Sequence, residues 1–274
     1  MNRLKISAQV QVIAALVEGT SINSTCRMTG VAKHTVLKRL KDIGCACAAY
    51  HDQTVRNLRV RRLQCDEIWA FVYGKDKNLS LEQIRACAGS VWTRTAIDAD
   101  SKLIVSYMLG DRGAATAQSF MRDVAGRIAN RIQLTTDGHR VYAEAVEGAF
   151  GADIDYAMLV KIFGATSDNP ESRYNPATCI GCRTGVLAGN PDPDYISTSF
   201  VERSNLSMRM GMRRRFTRLT NAFSKKLENH GHMVALYFMH YNYCRVHKTL
   251  RVTPAMEAGL TDHVWEIEEL LNLL

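Results

Sequence analysis

Two periods of apolar residues divide the chain, one of helical spacing at its start and one of strand spacing from about residue 62 onward. In "SAQVQVIAALVEG", Val10, Ile13, Ala14 and Val17 fall on one helical face before a stop at Gly19. "SINSTCRMTG" follows with Ser and Asn start signals and a Gly stop, and "VAKHTVLKRLKDIG" stacks Val36 and Leu40 one turn apart before Gly44. This is helix, turn, helix spacing. Gly30 sits where the tight turn needs positive φ, and Cys26 is the small residue where the helices approach. Lys33, His34, Thr35, Lys38 and Arg39 then face outward, an edge suited to a DNA major groove. A plain three-helix bundle with a wet basic face is the alternative.

Beyond the basic run Arg56, Arg59, Arg61 and Arg62, the pattern becomes that of strands. "RLQCDEIWAFVYG" is apolar with aromatic and β-branched residues, "VWTRTAIDADSKLIVSYMLG" reads as two strands joined at "DADSK", and "RIQLTTDG" is a short strand ending in a turn. "AATAQSFMRDVAGRIANR" carries the helical stripe Phe120, Val124 and Ile128; "VYAEAVEGAF" is a further helix and "DIDYAMLVKIF" a further strand. The order β, ββ, α, β, α, β predicts an α/β fold with a mixed sheet and helices packed on it. Residues 164–195 are rich in Gly, Pro, Asn and Asp and read as a loop-rich insertion. Helix resumes near Ser199, and residues 221–243 read as a long amphipathic helix interrupted at Gly231. The expected division is a helix-turn-helix module at 1–44, a basic linker at 45–62, an α/β domain at 63–253 and a helical tail at 254–274.

The formal charge of +8 points to an anionic partner, since clustered Lys and Arg gain by releasing counterions from a phosphate backbone. The densest cluster, Arg203, Arg209, Arg213, Arg214, Arg215 and Arg218, is opposed only by Glu202. No run of roughly 18 apolar residues occurs, and "MNRLKISAQV" lacks the apolar centre of a secretory signal. The expectation is a cytoplasmic protein with no membrane partner. The eight cysteines then read as reduced thiols. Cys179 and Cys182 in "TCIGCR" have metal-like spacing, but two further ligands are missing and Cys45 and Cys47 are distant, so zinc is not expected.

Three acids stand out: Asp66 within the first strand, Asp137 at the tip of a later one, and Glu202 in the first turn of the helix after the insertion. Brought together by a sheet, they would hold two divalent cations about 4 Å apart, one activating an attacking oxygen and one stabilising the leaving oxygen of a phosphodiester. Mg²⁺ suits such hard oxygen donors. Each acid also has a bland reading: a turn preference for Asp137, a capping box with Ser199 for Glu202, and pairing of Asp66 or Glu67 with Arg61 or Arg62. Alternation puts Glu67 on the strand face opposite Asp66. Trp69 reads as sheet core, His139 as a turn histidine, and His240 and His247 lack a third ligand.

"CDEIW" at 65–69, "TTDGHRVY" at 135–142, "VERSNLSMR" at 201–209 and "LTNAFSKK" at 219–226 resemble, in order, the blocks of DDE transposases of the insertion-sequence-one family. The resemblance covers roughly residues 60–253, and "HYNYCRVHKTLRVTPA" is similar to the C-terminal segment of other insertion-sequence transposases and integrases. It implies an RNase H-like core with Asp66, Asp137 and Glu202 as catalytic, metal-holding triad, and a helix-turn-helix that binds terminal inverted repeats. It further implies Mg²⁺-dependent cutting and joining of DNA, with Mn²⁺ able to substitute, by a homo-oligomer on double-stranded transposon ends and target, in the nucleoid. The family's basic residue seven positions after the glutamate corresponds to Arg209, which shares a helical face with Glu202, and Arg213 returns to that face. Arg61 and Arg62 would lie where a phosphate backbone passes from module to core. The N-terminus lacks the zinc module common in the family, and the insertion at 164–195 lengthens the interval between Asp137 and Glu202. A retired, DNA-binding regulator and a nuclease that cuts without joining are the competing readings.

Overall fold

A computed structural model describes residues 4–164, 179–212, 216 and 223–274. Six strands form one mixed sheet: β1 (Arg62–Val72), β2 (Gly89–Asp98), β3 (Ile104–Gly110), β4 (Gln133–Asp137), β5 (Asp155–Phe163) and β6 (Cys179–Ala188), in the order β3-β2-β1-β4-β5-β6. β1, β2 and β3 meander antiparallel, β1–β4 and β4–β5 are parallel, and β6 closes the edge antiparallel to β5. The turn expected at "DADSK" forms because Asp98 accepts the backbone N–H groups of Asp100 and Ser101 at 3.0 and 3.2 Å.

Helices cover both faces. Helix α5 (Ala114–Ala125) buries Ala117, Phe120, Met121 and Val124, and packs with α6 (Val141–Phe150) on one side. The other side carries α3 (Lys33–Thr54), α7 (Ser199–Gly211) and α8 (Leu227–Met239). Alternation along β3 separates the layers: Ser106 donates to Asp123 of α5, while the next residue, Tyr107, packs its ring on His51 of α3 and Phe238 of α8. Asn242, in the π-helical turn His240–Cys244 after α8, accepts the Ile104 N–H at 3.0 Å and donates to its carbonyl at 3.1 Å, tying that layer to β3. Among the described residues no helix is long and apolar enough to cross a membrane.

The N-terminal helices are α1 (Ile6–Val17), α2 (Ile22–Thr29) and α3, with Gly30 capping α2 at φ 69°. Helix α3, which packs against α8, does not stop at Gly44; it continues to Thr54, so residues 45–54, expected as linker, are helical. A Cβ at Gly44 would stand 2.5 Å from the His232 Cβ and 2.6 Å from its Cα, so this glycine permits close helix contact rather than ending a helix. Likewise Gly231 does not interrupt α8. The loop-rich insertion expected at 164–195 contains strand β6, whose exposure on both sides hides any alternation; residues 165–178 lie outside the described residues. A short helix, α4 (Leu81–Arg85), capped by Ser80 and Gln83, had no counterpart in the expected order. The tail carries α9 (Pro254–Glu257) and α10 (Ile267–Leu271), the latter packed on α1 and α3.

Gly44→Ala, which raises intrinsic helix propensity, is expected instead to lower stability by about 1–3 kcal/mol through overpacking against His232. Urea unfolding of the two proteins measures it, and equal midpoints would refute the close-contact reading.

Candidate metal centre

The parallel pairing of β1 with β4 runs Arg62 beside Gln133 through Cys65 beside Thr136, so the next pair in line is Asp66 and Asp137. Both side chains therefore leave the sheet on the same face, at the carboxyl end of β4. Asp66, Glu67 and Asp137 each offer a carboxylate oxygen, and the three oxygens lie within 4.8 Å of one another. Glu67 belongs to this cluster although alternation points it to the α5/α6 layer. There its carboxylate accepts the Arg112 Nε at 2.8 Å and the Tyr142 hydroxyl at 3.0 Å, with a side-chain exposure of 1%.

Asp66 accepts two hydrogen bonds, one from the Glu67 N–H at 2.8 Å and one from Asn205 Nδ2 of α7 at 2.8 Å. Asp137 accepts the His139 N–H at 3.2 Å. These donors favour the ionised forms but do not prevail. Burial, then the charges of Asp137 and Glu67, push Asp66 up to about 7; burial, then the Glu67 charge, push Asp137 up to about 6, with Glu202 adding a smaller push. His139 lies 3.8 Å from Glu67, and its imidazole is held below the usual value, by burial first and then by the Arg112 and Arg94 charges.

Glu202 is in the first turn of α7 but outside the cluster. Its carboxylate accepts Lys161 Nζ of β5 and the Thr198 hydroxyl, the latter at 2.6 Å. The capping box with Ser199 does not form: Thr198 is the N-cap residue, and Glu202 takes its hydroxyl rather than a backbone N–H. Asn205, one turn on from Glu202, is the residue of α7 that reaches the acidic pair. Its three-residue spacing from Glu202 was a signal available in the sequence; Lys161 and Arg112 gave none, because only the sheet register and the loop after β3 bring them near.

The expected nucleic-acid contacts are dispersed. Lys33, His34 and Lys38 are exposed at the start of α3, with Thr35 and Arg39 half-buried, and Asp42 lies 2.9 Å from Lys38 and 3.9 Å from Arg39. Arg62 pairs with Asp100 and stacks on the Tyr195 ring at 4.0 Å, whereas Arg61 is 87% exposed and 3.7 Å from Asp100. Arg209 donates to the Phe216 carbonyl at 3.3 Å, and Arg213 lies outside the described residues. Cys45 and Cys47 sit on α3, exposed and buried respectively, and Trp69 is half-buried with its indole N–H on Ser90 at 2.9 Å.

The donor set fits a hard divalent cation. Three carboxylates converge where burial and mutual repulsion leave two of them reluctant to ionise, and a cation relieves that repulsion. No protein-family model and no curated protein matches the chain. Among solved structures, the cryo-EM structure of a piggyBac transposase synaptic complex with hairpin DNA is similar over 98% of this chain and 69% of that one, at 9% identity and a TM-score of 0.42.

A carboxylate whose folded pKa lies above its unfolded value stabilises the protein below the unfolded pKa, and that stabilisation is lost as pH rises through the folded pKa. Metal-free protein should thus lose stability between pH about 4 and about 8 as Asp66 and Asp137 ionise. Asp66→Asn removes part of this loss, with Asn205 turning its amide to suit, and should raise stability at pH about 8 by on the order of 2 kcal/mol, the gain vanishing near pH about 4. Thermal melts across pH test this; a gain independent of pH would contradict it.

Proposed function

We propose that the chain is a DDE transposase with an RNase H-like core, one that cleaves and joins DNA strands at the ends of a mobile insertion sequence. The observation that carries this reading is the convergence of Asp66 and Asp137 from adjacent parallel strands, with α7 supplying Asn205 to the pair and Glu202 nearby. The strand order is compatible with such a core.

Asp66, Asp137 and Glu202 are the proposed metal ligands, with Mg²⁺ the intended ion and Mn²⁺ a substitute. When bound, divalent cations supply Lewis-acid activation of the attacking oxygen and of the leaving oxygen of a phosphodiester. The chain's own residues do the rest. Asn205 fixes the Asp66 carboxylate, and the Arg112 and Tyr142 contacts hold Glu67 beside it as a source of negative potential. Glu202 would join the metal ligands on parting from the Lys161 ammonium that now holds its carboxylate, and that lysine would then be free to meet a backbone phosphate. Arg209 and Arg213 hold the donor strand, Arg61 and Arg62 guide the duplex, and Lys33, His34, Thr35, Lys38 and Arg39 read the terminal repeats as a helix-turn-helix edge. Both ends must be cut together, so a homo-oligomer on DNA is part of the proposal.

Asp66→Asn, Asp137→Asn and Glu202→Gln should each abolish cleavage and strand transfer on DNA carrying the element's ends, with Mg²⁺ or Mn²⁺ present. Intact strand transfer in all three would sink the assignment. Products that are cut but never joined would favour a nuclease, and specific binding without cutting by the unaltered protein would favour a regulator. Asn205→Ala is expected to cost about 10–100-fold in activity, since it frees the Asp66 carboxylate. Lys161→Met removes the cation competing for Glu202 and should tighten Mn²⁺ binding in calorimetry; weaker binding would show that Glu202 does not join the metal site.

A further inference from the structure

Beside Glu202, on the outer side of its Lys161 partner, the edge of the sheet carries a second group of reactive side chains. In the pairing of β5 with β6, Lys161 lies opposite Cys182, Ile162 opposite Gly181 and Phe163 opposite Cys179. Ile180 is the extra residue of a bulge at the shift between Ile162 and Phe163. Residues three apart on an unbroken strand point to opposite faces. The bulge changes that parity: Cys179 and Cys182 oppose Phe163 and Lys161, two residues apart on β5, and so share one face. Both thiols are exposed; Cys179 donates to the Gly181 carbonyl at 3.3 Å and also interacts with the Cys182 thiol, which it helps to push up. Lys161 lies within electrostatic reach of both sulfurs.

We propose that Cys179 and Cys182 form a redox modification site, a dithiol that closes reversibly to an intrachain disulfide. The oxidant class is a peroxide. One thiolate attacks a peroxide oxygen, the O–O bond breaks, and the departing hydroxide takes a proton and leaves as water, giving a sulfenic acid. The second thiol attacks that sulfur, the S–S bond forms and a second water leaves. Two thiols thereby lose two electrons and two protons to one peroxide. The geometry suits a reversible bond: two strand steps span about 6.8 Å, at the upper end of the roughly 4.4–6.8 Å between Cα atoms in disulfides. Such a bond forms with a slight contraction of β6 and, being exposed, is readily reduced. The proposal needs only the edge strand and stands whether or not the acidic centre cuts DNA.

The test treats reduced full-length protein with hydrogen peroxide, alkylates the remaining thiols and reads the tryptic peptide that ends at Arg183, which carries both cysteines. The expected product is two hydrogen masses lighter and resists alkylation until dithiothreitol is added, while the exposed single thiols Cys45 and Cys87 remain alkylatable. In Cys182→Ser, Cys179 should instead be trapped as a sulfenic acid, with an unchanged circular dichroism spectrum as the control for folding. Loss of Cys179 and Cys182 alkylation no faster than that of Cys45 and Cys87 would overturn the proposal. So would disulfides to other cysteines, or a tightly held zinc ion that shields the pair in purified protein.

Discussion

The constraint on which the centre of this protein turns is the crowding of negative charge at the ends of two parallel strands. The register of β1 against β4 allows Asp66 and Asp137 no separation, and Glu67 adds a third carboxylate from the opposite side of β1. Ionised acids in a half-buried cleft repel one another with little water to screen them. The surrounding structure answers with donors: Asn205 on Asp66, the His139 N–H on Asp137, Arg112 and Tyr142 on Glu67. The raised pKa values of Asp66 and Asp137 show that the answer is partial, which is the condition of a site still open to a cation.

Positioning those donors reaches deep into the fold. Arg94 of β2 lies opposite Glu67 in the β1–β2 register and is fully buried, yet its guanidinium donates to the carbonyls of Asp111 and Gly113. It thereby fixes the loop between β3 and α5, and that loop carries Arg112 back to Glu67. The buried cation supports the acid indirectly, through backbone it holds in place. On the other face, Asn205 reaches Asp66 because α7 is anchored at its start, where Gln64 of β1 accepts the N–H groups of Phe200 and Val201 at 2.8 and 3.1 Å. A side chain two residues from Asp66 thus caps the helix that stabilises it.

Glu202 shows how a further acid is satisfied near the cluster. Lys161 and Thr198 satisfy its carboxylate, so α7 can present an acid beside the cluster without adding fully to its repulsion. The N-terminal helices join the same body rather than hanging from it, since α3 continues past Gly44 and seals against α8 at glycine distance.

By itself the sequence determined the first five strands of the sheet, as apolar runs, and the helix α5 from its stripe at Phe120 and Val124, although Ile128, read as the next step of that stripe, lies past the helix end in a bridge to Leu58. It also singled out Asp66 and Asp137, acids where a strand would otherwise be apolar or ending. Where local rules misled, a tertiary contact had overruled them: Gly44 and Gly231 look like stops but lie within helices, and β6 lacks alternation because neither of its faces is buried. Only the tertiary structure decided which charges meet. Glu67 alternates away from Asp66 along β1, yet its carboxylate, held by Arg112 and Tyr142, lies within the cluster. Glu202 looks equivalent to the other acids in sequence, but Lys161, brought across by the β5 register, holds it apart. Strand period fixes the face on which a side chain starts; the reach of that side chain and the partner it finds fix where its charge ends.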